Sequence, residues 1–293
     1  MNTTKRIATP SVTRGIMQDY HLVAKKSLGQ NFIIEPKIIN RIVETAACDK
    51  HDLVLEIGPG LGSLTQALAE AAGQVVTVEL DKTLLPPLQA QFANTPNVAL
   101  IHADALQADI SGLLAPYSAK PELRPGFMVV ANLPYYITTP LILRILTDNA
   151  PWRRLVFMVQ KELAARLQAA PGGKDYGALS LAVQYRAQAK LAFTVPAAVF
   201  LPRPKVDSAV VVLDKLSAPT VQVQDEAALF AVIRAGFNQR RKTLSNALGN
   251  VLGLDKGLVT EALSLAGIDG ARRAETLNLA EFAALSNAIT ELS

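Results

Sequence analysis

Three stretches of this sequence hold residues whose types and spacing could do chemistry. The first is Glu56-Ile57-Gly58-Pro59-Gly60-Leu61-Gly62, with a glycine at every second position from Gly58. Glycine admits positive φ and lets a ligand approach the backbone closely. A dinucleotide fingerprint needs its third glycine one residue later, where this chain has Ser63. Glu56 would repel a pyrophosphate. It suits a ligand with a cationic end, such as the sulfonium and α-ammonium of S-adenosylmethionine. Taken alone, the glycines also fit a tight turn with no ligand. The second stretch is a pair of acids. Glu79 lies twenty-one residues after Gly58, the spacing of a carboxylate that accepts ribose hydroxyl protons, and Asp104 is placed to accept from an exocyclic adenine amine.

The third stretch, Asn132-Leu133-Pro134-Tyr135, is the most specific. It answers the problem of activating an aromatic amine, whose lone pair is delocalised into its ring. The Asn132 side-chain oxygen and the Leu133 carbonyl could bind the two N6 protons of an adenine and favour the charge that develops on that nitrogen. Pro134 biases Leu133 toward an extended conformation, and Tyr135 offers a face on which an extruded base can stack. A strand-ending turn with a packed tyrosine is the alternative.

These residues need strands to carry them. Residues 53–57, 75–79, 98–101 and 127–131 are short apolar runs bounded by turn residues, and each leads into one of the groups above. Ligands of open α/β sheets bind at the carboxyl ends of strands. A helix is expected from Pro36, where Ile38, Ile39, Ile42, Val43, Ala46 and Ala47 share one face, and another over 63–72. Pro86 and Pro87 are expected to break or kink the helix after the second strand. Further strands are expected at 155–160, 190–195 and 208–213, the last two as an antiparallel edge pair, with helices at 161–168 and 179–186. After Lys215 only helical patterns remain: 226–237, 242–251, 258–265 and 279–289, the last capped by Asn278. The fold class is α/β, a mostly parallel Rossmann-like sheet with an antiparallel edge hairpin, followed by a small all-helical domain.

Composition sets the outer bounds. At 293 residues with half of them hydrophobic, the chain can bury a large core, and one large domain with a smaller one is expected. A lone cysteine, Cys48, excludes an intrachain disulfide framework and fits a reducing compartment. No secretory signal or membrane-spanning run is read, so the expected location is cytoplasmic. The net charge is +4, unevenly placed. Residues 1–30 carry five basic side chains against one acidic, and Arg234, Arg240, Arg241 and Lys242 cluster in the tail. Two basic patches on a balanced body suggest a polyanion partner, or simply solvated faces.

Several motifs together resemble those of the ribosomal RNA adenine dimethylases, and most nearly the small-subunit branch of that family. They are Lys26-Ser27-Leu28-Gly29-Gln30-Asn31-Phe32, Glu56 to Gly62, Glu79, Asp104, Asn132 to Tyr135, and Phe200-Leu201-Pro202-Arg203-Pro204-Lys205-Val206-Asp207-Ser208. The resemblance implies an enzyme of the class I methyltransferase type. It would transfer methyl groups from S-adenosyl-L-methionine to N6 of two adjacent adenosines in the 3′-terminal hairpin of small-subunit rRNA, during ribosome assembly. The domains it implies are an N-terminal extension (1–24), a methyltransferase domain (25–216) and a helical RNA-binding domain (217–293). By the same resemblance Asn31, Ile33, Glu56, Gly58, Gly60, Gly62, Glu79, Asp104 and Asn132 hold the cofactor. Asn132, Leu133, Tyr135 and Phe200 hold and activate the target base, and Lys25, Lys26, Arg234, Arg240, Arg241 and Lys242 contact RNA. The expected partner is small-subunit rRNA in an immature subunit, with no metal, no membrane and a monomeric enzyme. Two departures from the family pattern are Tyr136, where many relatives have asparagine, and Ile33, where they have leucine. Three rivals remain: a large-subunit adenine methylase of the macrolide-resistance type, an RNA- or DNA-binding factor without turnover, and a small-molecule methyltransferase. Gly29 and the length of the helical tail favour the small-subunit type, the intact Asn132 to Tyr135 disfavours the second rival, and the basic patches disfavour the third.

Overall fold

The structure is a computed structural model and describes residues 5–147, 150–239 and 241–292. In chain order the elements are α1 (Pro10–Asp19), β1 (Phe32–Ile33), α2 (Pro36–Ala46), β2 (Leu53–Ile57), α3 (Ser63–Ala71), β3 (Gln74–Glu79), α4 (Leu85–Phe92), β4 (Val98–His102), α5 (Ile110–Ser118), β5 (Phe127–Asn132), α6 (Thr138–Thr147), β6 (Trp152–Gln160), α7 (Lys161–Leu167), α8 (Ala178–Arg186), β7 (Ala187–Val195), β8 (Phe200–Leu201), β9 (Ser208–Lys215), α9 (Glu226–Asn238), α10 (Leu244–Leu252), α11 (Lys256–Leu265) and α12 (Leu279–Leu292).

Among the described residues, seven strands form one sheet in the order β4-β3-β2-β5-β6-β9-β7. The first five run parallel, and β9 pairs antiparallel with β6. This is the mostly parallel sheet expected. β2, β3 and β5 are buried almost throughout, which is why they read as unbroken apolar runs rather than alternating ones. The strand order reverses between β2 and β5, where chains of this class place a ligand.

Three local differences from the sequence reading have physical causes. Pro86 and Pro87 open α4 instead of breaking it, because the first helical turn needs no intrahelical N–H donors. α5 was not expected, since Pro116 sits inside it near its end. β1 and β8 form a separate two-stranded ladder, Phe32 opposite Leu201 and Ile33 opposite Phe200, too short for any periodicity to reveal.

The chain packs as two compact units: one of residues 1–164 with 190–215, the other of residues 165–189 with 216–293. The 165–189 segment, assigned from sequence to the methyltransferase domain, therefore belongs with the helical tail. Its Tyr176, Leu181 and Tyr185 share one buried core with Leu229, Ile233, Leu248 and Phe282. Tyr176 also stacks edge-on against Phe237 at 5.9 Å and donates to the Leu277 carbonyl at 2.9 Å. Asn278 caps α12 as expected: its side chain accepts from the Glu281 amide at 2.9 Å, and Glu281 accepts from the Asn278 amide at 2.8 Å. No helix among the described residues is long and apolar enough to cross a membrane.

Candidate active site

The carboxyl ends of β2, β3 and β5, the turn after β4 and the loop before β1 surround an open cleft of about 1170 Å³. Asn31, Ile33, Glu56, Gly58, Gly60, Glu79, Asp104, Asn132, Leu133, Tyr135 and Phe200 all line it. Residues scattered over 170 positions thus meet at one sheet edge.

The glycine turn has two jobs. Gly58 and Gly60 adopt φ of +69° and +59°, and a Cβ on Gly58 would meet nothing nearer than Pro134 at 3.8 Å. Its space belongs to the cleft. Gly62, expected among the cofactor contacts, does not line the cleft. At φ +86° it caps α3, and a Cβ there would lie 2.7 Å from the Phe92 ring. Its glycine is required by packing between α3 and α4.

Glu56 is 1% exposed and accepts a hydrogen bond from Thr65 Oγ1 at 2.6 Å. Burial pushes its carboxyl up to about 8; the Thr65 bond opposes this and the neighbouring Glu79 adds to it. Glu79 is likewise raised by burial, to about 6, with Asp81 adding and backbone amides opposing. Its Oε1 accepts from the Asp81 amide at 2.7 Å. No cationic side chain lies against Glu56 or Glu79 among the described residues. Asp104 accepts from the Leu106 amide at 2.9 Å, which closes the turn after β4 and holds that carboxylate at the cleft wall.

Across the cleft, Asn132 ends β5. Its side-chain amide donates to the Asn31 carbonyl at 3.2 Å, so the NH₂ end is fixed and the oxygen is the open acceptor. Leu133 buries its side chain, leaving its backbone as the polar contribution. The Tyr135 hydroxyl bonds Ser208 Oγ at 2.9 Å, which holds the ring from its far end. Burial raises that hydroxyl above the usual phenol range. Phe200 reaches the cleft through the β1–β8 ladder but is only 3% exposed, so it is core as well as wall. Tyr136, the departure from the family pattern, stands 51% exposed at the same cleft.

The basic residues divide. The Lys25 ammonium pairs with Asp81 at 2.7 Å, whereas Lys26 is exposed. Arg234, Arg241 and Lys242 are exposed, and Arg240 lies outside the described residues. The sequence alone does not single out Asp81, Thr65 or Ser208 as site residues. The signal for Asp81 was its place two residues beyond Glu79, and Ser208 closed one of the quoted motifs.

Comparison with known proteins fits this geometry. The chain matches the family model described as ribosomal RNA adenine dimethylase over residues 22–291. It is 50% identical over 291 residues to the ribosomal RNA small subunit methyltransferase A of Geobacillus thermodenitrificans, covering 98% of both chains. It is 48% identical to the protein of the same name from Listeria innocua, again covering 98% of each. Among solved structures, a dimethyladenosine transferase from Plasmodium falciparum shares the fold, with a TM-score of 0.68 at 24% identity over 86% of this chain and 95% of that one. The 23S rRNA methyltransferase ErmE superposes with a TM-score of 0.61 at 26% identity, covering 89% of this chain and all of that one.

Proposed function

Since the chain belongs to the ribosomal RNA adenine dimethylase family, we propose that it dimethylates N6 of two adjacent adenosines in the 3′-terminal hairpin of small-subunit rRNA. The methyl donor is S-adenosylmethionine, the substrate is an immature small subunit, and the work is done in the cytoplasm. The observation that carries the reading is the Asn132 amide, fixed by its bond to the Asn31 carbonyl on a residue that lines the same cleft as Glu79 and Asp104. The relatives at about half identity are named for the small subunit, which favours that substrate over the large-subunit one.

The residues present fit the donor. Two buried carboxyls with no protein cation against them suit a ligand that carries positive charge. Glu79 would accept the ribose hydroxyls, Asp104 the adenine amine, and Glu56 would balance the cationic end. Bound there, S-adenosylmethionine supplies an electrophilic methyl group on a sulfonium. Asn132 and the Leu133 carbonyl accept the two N6 protons and orient the nitrogen lone pair. Tyr135, locked by Ser208, stacks on the extruded base. These groups position the nucleophile and accept its developing positive charge, which is where preorganised polar partners accelerate such a transfer. No side chain need act as an obligatory base, because the N6 proton becomes acidic once the bond has formed.

The test is methylation with S-adenosylmethionine on two substrates: isolated small-subunit rRNA and immature small subunits. Modified positions are read by mass spectrometry of nuclease fragments. Expected are dimethyladenosines at two adjacent sites, formed faster on the immature subunit. Methylation of large-subunit rRNA alone, or of no RNA, would overturn the proposal.

A further inference from the structure

The contacts around Asp81 carry an inference that rests on the cofactor reading above. We infer that Asp81 is a positioning residue. Through Lys25 and Gln30 it anchors the loop of residues 25–31, so that the Asn31 carbonyl is held where it sets the Asn132 side chain.

Asp81 sits just past the carboxyl end of β3 and is 4% exposed. Its Oδ1 accepts from Lys25 Nζ at 2.7 Å, from Thr83 Oγ1 at 2.7 Å and from the Thr83 amide at 3.0 Å. Its Oδ2 accepts from Gln30 Nε2 at 2.8 Å. Burial alone would raise this carboxyl, but Lys25, Thr83 and Gln30 together bring it down to about 2, so it is ionised at any working pH.

The loop is tied at both ends. Gln30 Oε1 accepts from the Lys25 amide at 2.8 Å, while the Lys25 ammonium and the Gln30 amide both reach the same carboxylate. Between them lies a single tight turn, Lys26–Leu28, closed by Gly29 at φ +59°. The chain leaving this knot is Asn31, whose carbonyl accepts the Asn132 amide proton. On its other side, the Asp81 amide donates to Glu79 Oε1 at 2.7 Å. One residue, through its backbone amide on one side and its buried carboxylate on the other, thus joins the ribose-side acid to the loop that holds Asn132. A cation that reads as an RNA contact in the sequence has its ammonium paired with a buried carboxylate. Its ammonium is the only one of the basic loop's two that makes an ion pair among the described residues.

The measurement compares wild type with Lys25→Met, Lys25→Arg, Asp81→Asn and the Lys25→Met/Asp81→Asn pair. Each full-length protein is tested for S-adenosylmethionine affinity by calorimetry, for single-turnover methylation at saturating cofactor and RNA, and for the salt dependence of rRNA binding. Lys25→Met and Asp81→Asn should each slow single-turnover methylation by about tenfold or more, the order expected for loosened positioning groups. The pair should be no worse than its worse member, because both changes remove one shared interaction. Lys25→Arg, which keeps a cation within reach of Asp81, should recover most of the rate; a purely structural role would leave the saturated rate alone. The salt slope of Lys25→Met should match wild type. If Asp81→Asn fails to fold, Lys25→Met, altered at a half-exposed side chain, still decides the matter. A wild-type rate in Lys25→Met would overturn the inference, above all with a flattened salt slope that made Lys25 a phosphate contact. Wild-type protein that binds no S-adenosylmethionine would instead overturn the cofactor reading, and this inference with it.

Discussion

Asn132 illustrates how much one hydrogen bond decides. Its amide proton goes to the Asn31 carbonyl, so its oxygen is left to accept from whatever enters the cleft. Asn132→Ala should lower kcat by about a hundredfold or more, the scale for losing one preorganised polar partner of a transition state. RNA affinity should barely move, because phosphate contacts dominate it. Cofactor affinity must be read in the same variant. A rate loss fully rescued by excess cofactor would make Asn132 a binding residue only. The buried acids make a second, pH-dependent prediction. Glu56 and Glu79 sit at about 8 and about 6, both above the ordinary 4.5. A carboxyl raised by folding holds its proton more tightly in the folded chain. The stability that these two groups contribute to the ligand-free protein is therefore fully present below the unfolded value and is lost as pH rises from about 4.5 to about 8. Glu56→Gln keeps an oxygen for Thr65 and removes the larger of the two shifts. Thermal midpoints measured from pH 5 to 8 should fall less in the variant than in wild type. Parallel curves would mean that Glu56 ionises at no cost to the fold.

The glycine turn separates at the level of elements. Gly58 and Gly62 both hold positive φ, so alanine at either should cost about 1–2 kcal/mol in left-handed strain. Only Gly62→Ala also drives a Cβ to 2.7 Å from Phe92, an overpacking worth about 1–3 kcal/mol more. Gly62→Ala should lower the thermal midpoint further than Gly58→Ala and leave cofactor affinity nearly unchanged, while Gly58→Ala should weaken the cofactor by filling its space. Calorimetry and thermal unfolding of the two variants check this, and equal effects on both readouts would erase the division. The strands around this turn were legible because buried parallel strands are continuous apolar runs ending in polar chemistry. Glu79, Asp104 and Asn132 were found for that reason. What was illegible depends on tertiary partners. The β1–β8 ladder has two residues a side, the ion pair of Lys25 spans 56 positions, and α8 is apolar on nearly all faces. Nothing in such a pattern says which core α8 joins; Tyr176, Leu181 and Tyr185 answer that only once α9 and α12 are folded.

For the molecule as a whole, the question is which of its basic residues meet a polyanion. A charge count along the chain treats all of them alike. The structure sorts them by partner. Lys25 belongs to Asp81, Arg186 to Glu226 and Arg272 to Glu281. Arg234, Arg241 and Lys242 are exposed and make no ion pair among the described residues. Arg234 lies on α9, while Arg241 and Lys242 lie in the turn between α9 and α10. Surface cations held by no protein carboxylate are the ones that can release counterions from RNA. Each phosphate neutralised adds about 0.7–0.9 to the slope of log affinity against log salt. Changing Arg234, Arg241 and Lys242 to glutamine should flatten that slope by about that amount for every phosphate no longer neutralised. The drop in affinity should be larger at low salt than at high. Stability should change little, since exposed charges without partners contribute within about 0.5 kcal/mol of nothing. S-adenosylmethionine affinity should be untouched, because none of these residues lines the cleft. Binding of immature small subunits, titrated across salt for wild type and the triple variant, makes the check. An unchanged slope would reduce this patch to a solvated surface and leave Lys26 as the exposed cation of the basic loop to be tested next.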